Sequence, residues 1–188
     1  IGTYLSDPAF TVFDHALTSS PTDTASLVSF TSSLDGNSIY YSTTNEDIWK
    51  YDAPMDTSTL IYAGVGSANT RGLSLDPLDQ TSMVFYDNGI LKHINLTTLA
   101  VTEIQTGMSV AYNAELIGGV VYGTRWHGSF FKINVDGTNY EDLMKPGINF
   151  TGLLLDTINK RVILFEGIGT ISSIKVYADP TIADVPDD

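Results

Sequence analysis

Cysteine is absent from the 188 residues of this chain, which excludes disulfide bonds and any metal site built on thiolates. Basic residues are scarce, since 9 Lys and Arg stand against 22 Asp and Glu and the net charge is −13. Nucleic acids and anionic membranes bind basic patches, so we predict no nucleic-acid partner. No apolar run reaches the roughly 18 residues that a spanning helix needs, so we predict no membrane insertion.

Motifs for catalysis are also missing. The chain has no G-x-S-x-G elbow, no P-loop and no H-E-x-x-H pair. Its three histidines (His15, His93 and His127) lie far apart, without the spacing of metal ligands. We therefore expect that the protein is not an enzyme and has no cofactor, with Ca²⁺ as the one ion worth considering.

The residues that are present indicate a β-rich protein. Apolar residues make up 43% of the chain, with 10 Tyr, 8 Phe and 16 Gly, and no helical 3.6-residue period appears. From residue 26 onward the chain repeats itself about every 40 residues. A leucine that ends a first strand recurs at spacings of 41, 41 and 39, in Leu34, Leu75, Leu116 and Leu155.

Each repeat contains three or four short strands, which is typical of a β-propeller blade. We predict an all-β propeller of four blades, at about 26–69, 70–108, 109–148 and 149–180. Residues 1–25 precede the repeats. An acidic stretch at 181–188 follows them, and we expect it to be flexible or docked on the surface.

The last repeat lacks a fourth strand, and residues 10–17 offer one. Such a strand could complete the last blade in its own molecule and remove two exposed sheet edges. It could instead complete the blade of a neighbouring molecule, near residues 171–177. The apolar side chains of this assembly strand are Phe10, Val12, Phe13 and Leu17.

Two stretches, 72–87 and 120–143, resemble the low-density-lipoprotein-receptor class B (YWTD) repeat. Tyr122 and Thr124 match the tyrosine and threonine of that motif, while its tryptophan is absent here. The strand and turn that follow match at Ile133, at Asp136-Gly137 and at Leu143. The resemblance implies a propeller that acts as an extracellular binding scaffold, although that family usually closes with six blades.

Two polar features recur with the repeat. Aspartates in the turns would form a ring of oxygens suited to Ca²⁺. Aspartate is also common in turns because it hydrogen-bonds the backbone there, and we favour this second interpretation. These aspartates are Asp35, Asp76, Asp79 and Asp156. Every third strand carries a lysine, which we expect to lie on an exposed face. These lysines are Lys50, Lys92, Lys132 and Lys175.

Two Asn-x-Thr sequons begin at Asn95 and Asn149 and favour an extracellular protein that carries N-linked glycans. The function we predict is a structural, non-enzymatic building block that binds copies of itself through its N-terminal strand, as a homo-oligomer or filament. The alternative is a monomeric extracellular module that binds a protein or glycan. A propeller enzyme is the third class, disfavoured because the inward strands at 28–32, 72–75 and 152–155 contain hardly any acids.

Overall fold

The computed structural model describes residues 27–64, 70–107, 111–125, 129–144, 149–167 and 171–185, and every regular element in these ranges is a β-strand. Blade 1 contains β1 (Leu27–Ser32), β2 (Ser38–Thr43), β3 (Ile48–Asp52) and β4 (Thr57–Tyr62). Blade 2 contains β5 (Arg71–Leu75), β6 (Ser82–Asp87), β7 (Ile90–Asn95) and β8 (Val101–Gln105). Blade 3 contains β9 (Ala111–Ile117), β10 (Val120–Arg125), β11 (Phe130–Asn134) and β12 (Glu141–Met144). Blade 4 contains β13 (Phe150–Asp156), β14 (Arg161–Gly167) and β15 (Ile171–Ala178).

Each blade is an antiparallel meander in which consecutive strands pair. Turn chemistry fixes these hairpins. Gly118 and Gly119 join β9 to β10, and both have positive φ (57° and 75°), as a two-residue hairpin loop requires. The turn after β11 uses Asp136-Gly137, where Gly137 has φ 83° and Asp136 accepts the amide of Thr138. The turn that the resemblance implies at Asp136-Gly137 is therefore confirmed.

Successive blades pack face to face through three apolar clusters. The innermost strands β1, β5, β9 and β13 lie side by side in that order. Tyr40 and Ile48 of blade 1 lie against Leu75, Met83 and Phe85 of blade 2. The second cluster joins blades 2 and 3 through Val84, Tyr86, Leu91, Leu116, Val121 and Phe131. The third cluster joins blades 3 and 4 through Tyr122, Phe130, Phe150, Leu153, Val162 and Leu164.

Polar side chains on the inner strands also link the blades. Leu73 N donates to Ser29 Oγ (3.2 Å), and Leu116 N donates to Ser74 Oγ (2.9 Å). Asn113 Nδ2 donates to a backbone oxygen of blade 4 (2.9 Å). These bonds satisfy groups on the inner edge of each sheet, where no further strand pairs.

The all-β, four-bladed propeller fold is confirmed. The proposed assembly strand at 10–17 lies outside the described residues, so its position stays a prediction. Within the described part, β15 is an edge strand of a three-stranded sheet. There, too, β13 does not pack on β1 as the other inner strands pack on one another.

The start of the predicted tail is docked on the propeller. Ile182 is 3% exposed and lies in the cluster between blades 3 and 4, with Ala183 and Val185 packed beside it. Lys160 Nζ donates to the backbone oxygen of Ile182 (2.8 Å). In the described ranges, no helix is long and apolar enough to cross a membrane.

Candidate functional site

The turn carboxylates act as local hydrogen-bond acceptors. Asp35 accepts bonds from Ser33 and Asn37 in its own turn, and these bonds lower its pKa. Asp79 accepts the amides of Thr81 (2.7 Å) and Ser82 (2.9 Å). Each carboxylate thus replaces a backbone acceptor in a tight turn, as Asp does in an Asx turn.

Asp156 is the most strongly perturbed of these groups. Asn159 donates to it through its side chain and its backbone amide, and Arg161 Nε lies 2.6 Å from Oδ2. These bonds, led by the Asn159 side chain, lower the pKa of Asp156 to about 2. The carboxylate therefore stays ionised while it ties the turn to the start of β14.

Asp76 differs from the other three because it is buried and joins two blades. Its Oδ1 accepts the amides of Leu78 (3.0 Å) and Gly118 (3.1 Å), and its Oδ2 accepts the amide of Gly119 (3.0 Å). It is 2% exposed. This carboxylate therefore holds the β9–β10 hairpin of blade 3 against the β5–β6 turn of blade 2.

The repeat does not bring the turn carboxylates together. No cluster of three or more possible ligands among His, Cys, Asp and Glu lies in the part of the chain that the structure describes. The hydrogen bonds of Asp35, Asp76, Asp79 and Asp156 are local or confined to one pair of blades. Their arrangement fits turn capping, which the sequence also favoured.

Lys92 contradicts the prediction that the third-strand lysines are exposed. It is 6% exposed and donates to Asp87 Oδ2 (2.6 Å) and to Tyr62 OH (2.8 Å). Tyr62 OH also donates to Asp87 Oδ2 (2.5 Å). Burial opposes the charge of Lys92, but the bonds to Asp87 and Tyr62 keep its pKa above the usual value. This cluster joins blade 1 to blade 2 through Tyr62, which ends β4.

Lys132 makes a second cluster, which the C-terminal segment completes. Asp179 Oδ2 accepts from Tyr122 OH (2.9 Å) and Lys132 Nζ (3.3 Å), while its Oδ1 accepts from Thr181. Burial alone would raise the pKa of Asp179, but these donors lower it. Asp179 is 3% exposed, so the segment after β15 is anchored by charge as well as by the apolar contact of Ile182.

Glu115 is the titratable group on the inner strands that the sequence reasoning missed. It lies on β9, paired with Tyr122 of β10, and Ser74 Oγ of blade 2 donates to its Oε2 (3.1 Å). Burial raises the pKa of Glu115 to about 7. A carboxyl with this pKa takes up or releases a proton near neutral pH, which is the property of a general acid or base. In the sequence Glu115 lies between the apolar residues Ala114 and Leu116, which is the ordinary pattern of a strand and does not mark it as a site residue.

The remaining candidates are dispersed. Asn95 ends β7, and its Oδ1 accepts the amides of Thr97 and Thr98, so the first sequon forms a turn. Asn149 is half-buried and directly precedes β13. Residues 10–17 lie outside the described residues.

Comparisons with known proteins support the fold. No protein-family model matches the sequence, and no curated protein matches it. A chain of the nidogen–laminin complex, a propeller of the YWTD type, superposes with a TM-score of 0.66 at 14% identity over 83% of this chain and 66% of its own. A putative TolB from Agrobacterium tumefaciens superposes with a TM-score of 0.62 at 13% identity, over 77% of this chain and 58% of its own. The computationally designed protein Ika4 superposes with a TM-score of 0.65 at 13% identity, over 87% of this chain and 98% of its own. This chain thus spans about three fifths of the length of these two natural neighbours.

The expectation that the protein is not an enzyme is wrong as a conclusion from its fold. An oligogalacturonate lyase in complex with manganese shares the architecture, with a TM-score of 0.60 at 15% identity over 80% of this chain and 50% of the lyase. Propellers of this shape therefore include enzymes, and the fold does not exclude catalysis. The argument from acid-free inward strands also left out β9, which carries Glu115. At this identity the likeness shows the fold alone.

Proposed function

We propose that this protein is an extracellular β-propeller building block of the YWTD type that binds further copies of itself. The observation that carries the proposal is the unequal strand count. Blades 1 to 3 have four strands each, whereas blade 4 has three in the described part and ends in β15. An edge strand offers a row of backbone donors and acceptors to an incoming strand.

The side chains of β15 suit such an added strand. Ile171, Ile174 and Val176 are 62%, 59% and 56% exposed. The N-terminal segment supplies a complementary strand, because Phe10, Val12, Phe13 and Leu17 are apolar. Addition of this strand to the β15 of a neighbour forms the same bonds as addition in its own molecule, so exchange costs little.

Removal of residues 1–26 tests the proposal. We expect the full chain to form oligomers or filaments at micromolar concentration in light scattering and electron microscopy. The truncated chain should remain a monomer, and a synthetic peptide of residues 8–19 should bind it. A strictly monomeric full chain would overturn self-association and leave a binding module.

The extracellular part of the proposal rests on the two sequons. The Nδ2 atom of Asn95 is the attachment point for a glycan, and its turn uses only Oδ1 in the hydrogen bonds to Thr97 and Thr98. Intact mass of native material before and after endoglycosidase treatment measures the occupancy. An unmodified mass would remove this support for secretion.

A further inference from the structure

The segment that follows β15 is fastened on both sides of the junction between blades 3 and 4. On the blade 3 side, Asp179 Oδ2 accepts from Tyr122 OH (2.9 Å). On the blade 4 side, Lys160 Nζ donates to the backbone oxygen of Ile182 (2.8 Å). We call residues 179–185 the strap, because they bridge two blades after β15 has ended.

A tight turn at Asp179 starts the strap. The amide of Ile182 donates to the backbone oxygen of Asp179 (3.3 Å), and aspartate followed by Pro180 is a sequence that favours such a turn. Both carboxylate oxygens are engaged, since Oδ2 also accepts from Lys132 Nζ (3.3 Å) and Oδ1 accepts from the amide (2.9 Å) and the hydroxyl of Thr181 (2.6 Å). The turn directs Ile182 into the apolar cluster between the two blades, where it is 3% exposed.

Blade 2 shows the other path that the chain takes from the same point. Leu96 is the first residue after β7, and its amide donates to Thr81 O (2.8 Å), as the amide of Asp179 donates to Lys160 O (2.9 Å) after β15. From Leu96 the chain turns back along the sheet and forms the fourth strand β8, which pairs with β7. From Asp179 the chain forms the strap instead. Within the described residues, β14 is therefore the only strand that pairs with β15.

The strap and the end of β15 belong to one packed unit. Tyr177 of β15 packs against the same apolar cluster as Ile182, and its ring lies 5.5 Å from that of Phe130 at an angle of 72°. Phe130 stacks with Tyr122 (6.3 Å between centroids), whose hydroxyl donates to Asp179. Release of the strap would therefore remove support from the end of β15 on the side of blade 3.

Release of the strap would also change what lies beside β15. The segment would remain tethered to the end of this strand, so its local concentration at the open edge would be high. An open edge pairs with any strand that reaches it, and the chain after β7 follows that path in blade 2. A released segment would thus compete with an incoming strand for the same row of backbone donors and acceptors.

We infer that the docked strap keeps the outer edge of β15 ordered and open for residues 10–17. The inference rests on the proposed function, in which that N-terminal segment pairs with β15, and it names the residues that control the pairing. Asp179 and Tyr122 are positioning residues in this scheme, because they act on the edge only through the strap and the end of β15.

Hydrogen exchange of the full chain, followed by NMR, tests the strap. The amides of residues 10–17 exchange slowly only while this segment is paired. Asp179→Ala releases the strap and should lower their protection at least about tenfold, because the edge that binds them is available in a smaller fraction of molecules. The amides at the centre of the β14–β15 pairing, around Leu164 and Lys175, should stay protected, since their register does not depend on the carboxylate.

Two further variants accompany Asp179→Ala. Tyr122→Phe removes one donor to Asp179 and keeps the ring in place, so it should lower the protection of residues 10–17 in the same direction by about threefold without emptying the core. Asp136→Ala is the matched control. Asp136 is an exposed turn aspartate of blade 3 that accepts from Thr138 in its own turn, and its substitution should leave the protection of residues 10–17 unchanged.

The results separate the inference from the proposed function. Unprotected residues 10–17 in the unmodified chain would overturn the proposed function, and the inference with it. Protection that persists in both Asp179→Ala and Tyr122→Phe would overturn the inference and leave strand addition standing. Equal losses at residues 10–17 and at the centre of β15 in both variants would show that the strap only stabilises blade 4, which also overturns the inference.

Discussion

Replacement of Asp76 by alanine should destabilise the propeller far more than replacement of a turn aspartate usually does. The carboxylate accepts three backbone amides, and those of Gly118 and Gly119 belong to the neighbouring blade. A hydrogen bond to a charged acceptor contributes about 1.5–3 kcal/mol when buried, and water can reach Gly118, so we expect a total loss of about 3 kcal/mol. Asp76→Asn keeps one oxygen and should lose about half as much.

The assay is urea unfolding followed by tryptophan fluorescence. With a denaturant slope of about 2 kcal/mol/M, the expected loss lowers the midpoint by about 1.5 M. Asp79→Ala is the matched control, because Asp79 is exposed and caps its own turn, and it should cost about 1 kcal/mol. Equal shifts for the two variants would refute the reasoning, as would a large stabilisation of the unmodified chain by Ca²⁺ that Asp76→Ala abolishes.

Three further substitutions test other parts of the structure. Ile182→Ala should cost about 3 kcal/mol in thermal unfolding, since the side chain is 3% exposed between two blades, and a neutral effect would mean that the tail is not docked. Glu115 has a folded pKa of about 7 against 4.5 for the free group, so its protonated form contributes stability that is complete below pH 4.5 and is lost as the pH rises through 7. Glu115→Gln should remove this pH dependence, which amounts to about 3 kcal/mol in the free energy of unfolding between pH 4 and 8, measured by urea titration. If the variant keeps the pH dependence, another group causes it. Gly123→Ala places a Cβ 2.4 Å from Phe131 Cζ and 2.6 Å from Tyr86 OH, so a loss of at least about 2 kcal/mol is expected in the same assay, and an unchanged midpoint would contradict this packing.

The number and order of the strands were predictable because they depend on local signals. Three of the leucine anchors lie at the ends of β5, β9 and β13, whereas Leu34 lies in the turn after β1. The second and third strands lie where the sequence places them. The face on which a side chain lies depends on register, and one residue of offset reverses it. Lys50 pairs with Tyr40 on the face toward blade 2, whereas Lys92 pairs with Phe85 on the face toward blade 1. The equal spacing of the lysines in the sequence therefore predicted the same environment for all of them, although Lys50 and Lys92 lie on opposite faces of their blades.

The candidate site depended on contacts between distant parts of the chain. Asp179 and Lys132 are 47 residues apart, and their bond forms only because the segment after β15 folds back over blade 3. Glu115 has a raised pKa because it is buried among the inner strands, and the hydrogen bond from Ser74 opposes this shift. Neither Asp179 nor Glu115 stands in a sequence motif that marks it as a site residue.

In the described ranges each apolar cluster is shared by two successive blades, so these blades form a linear series of cooperative units. Loss of one unit removes support from its neighbours alone, so stability should fall from the middle of the array toward its ends. The two ends are unequal, because Ile182 and Asp179 fasten the segment after blade 4 to blade 3. Within the described ranges blade 1 is held by blade 2, through their shared apolar cluster, the bond of Leu73 to Ser29 and the bonds of Tyr62 to Asp87 and Lys92. We therefore expect unfolding to begin at blade 1.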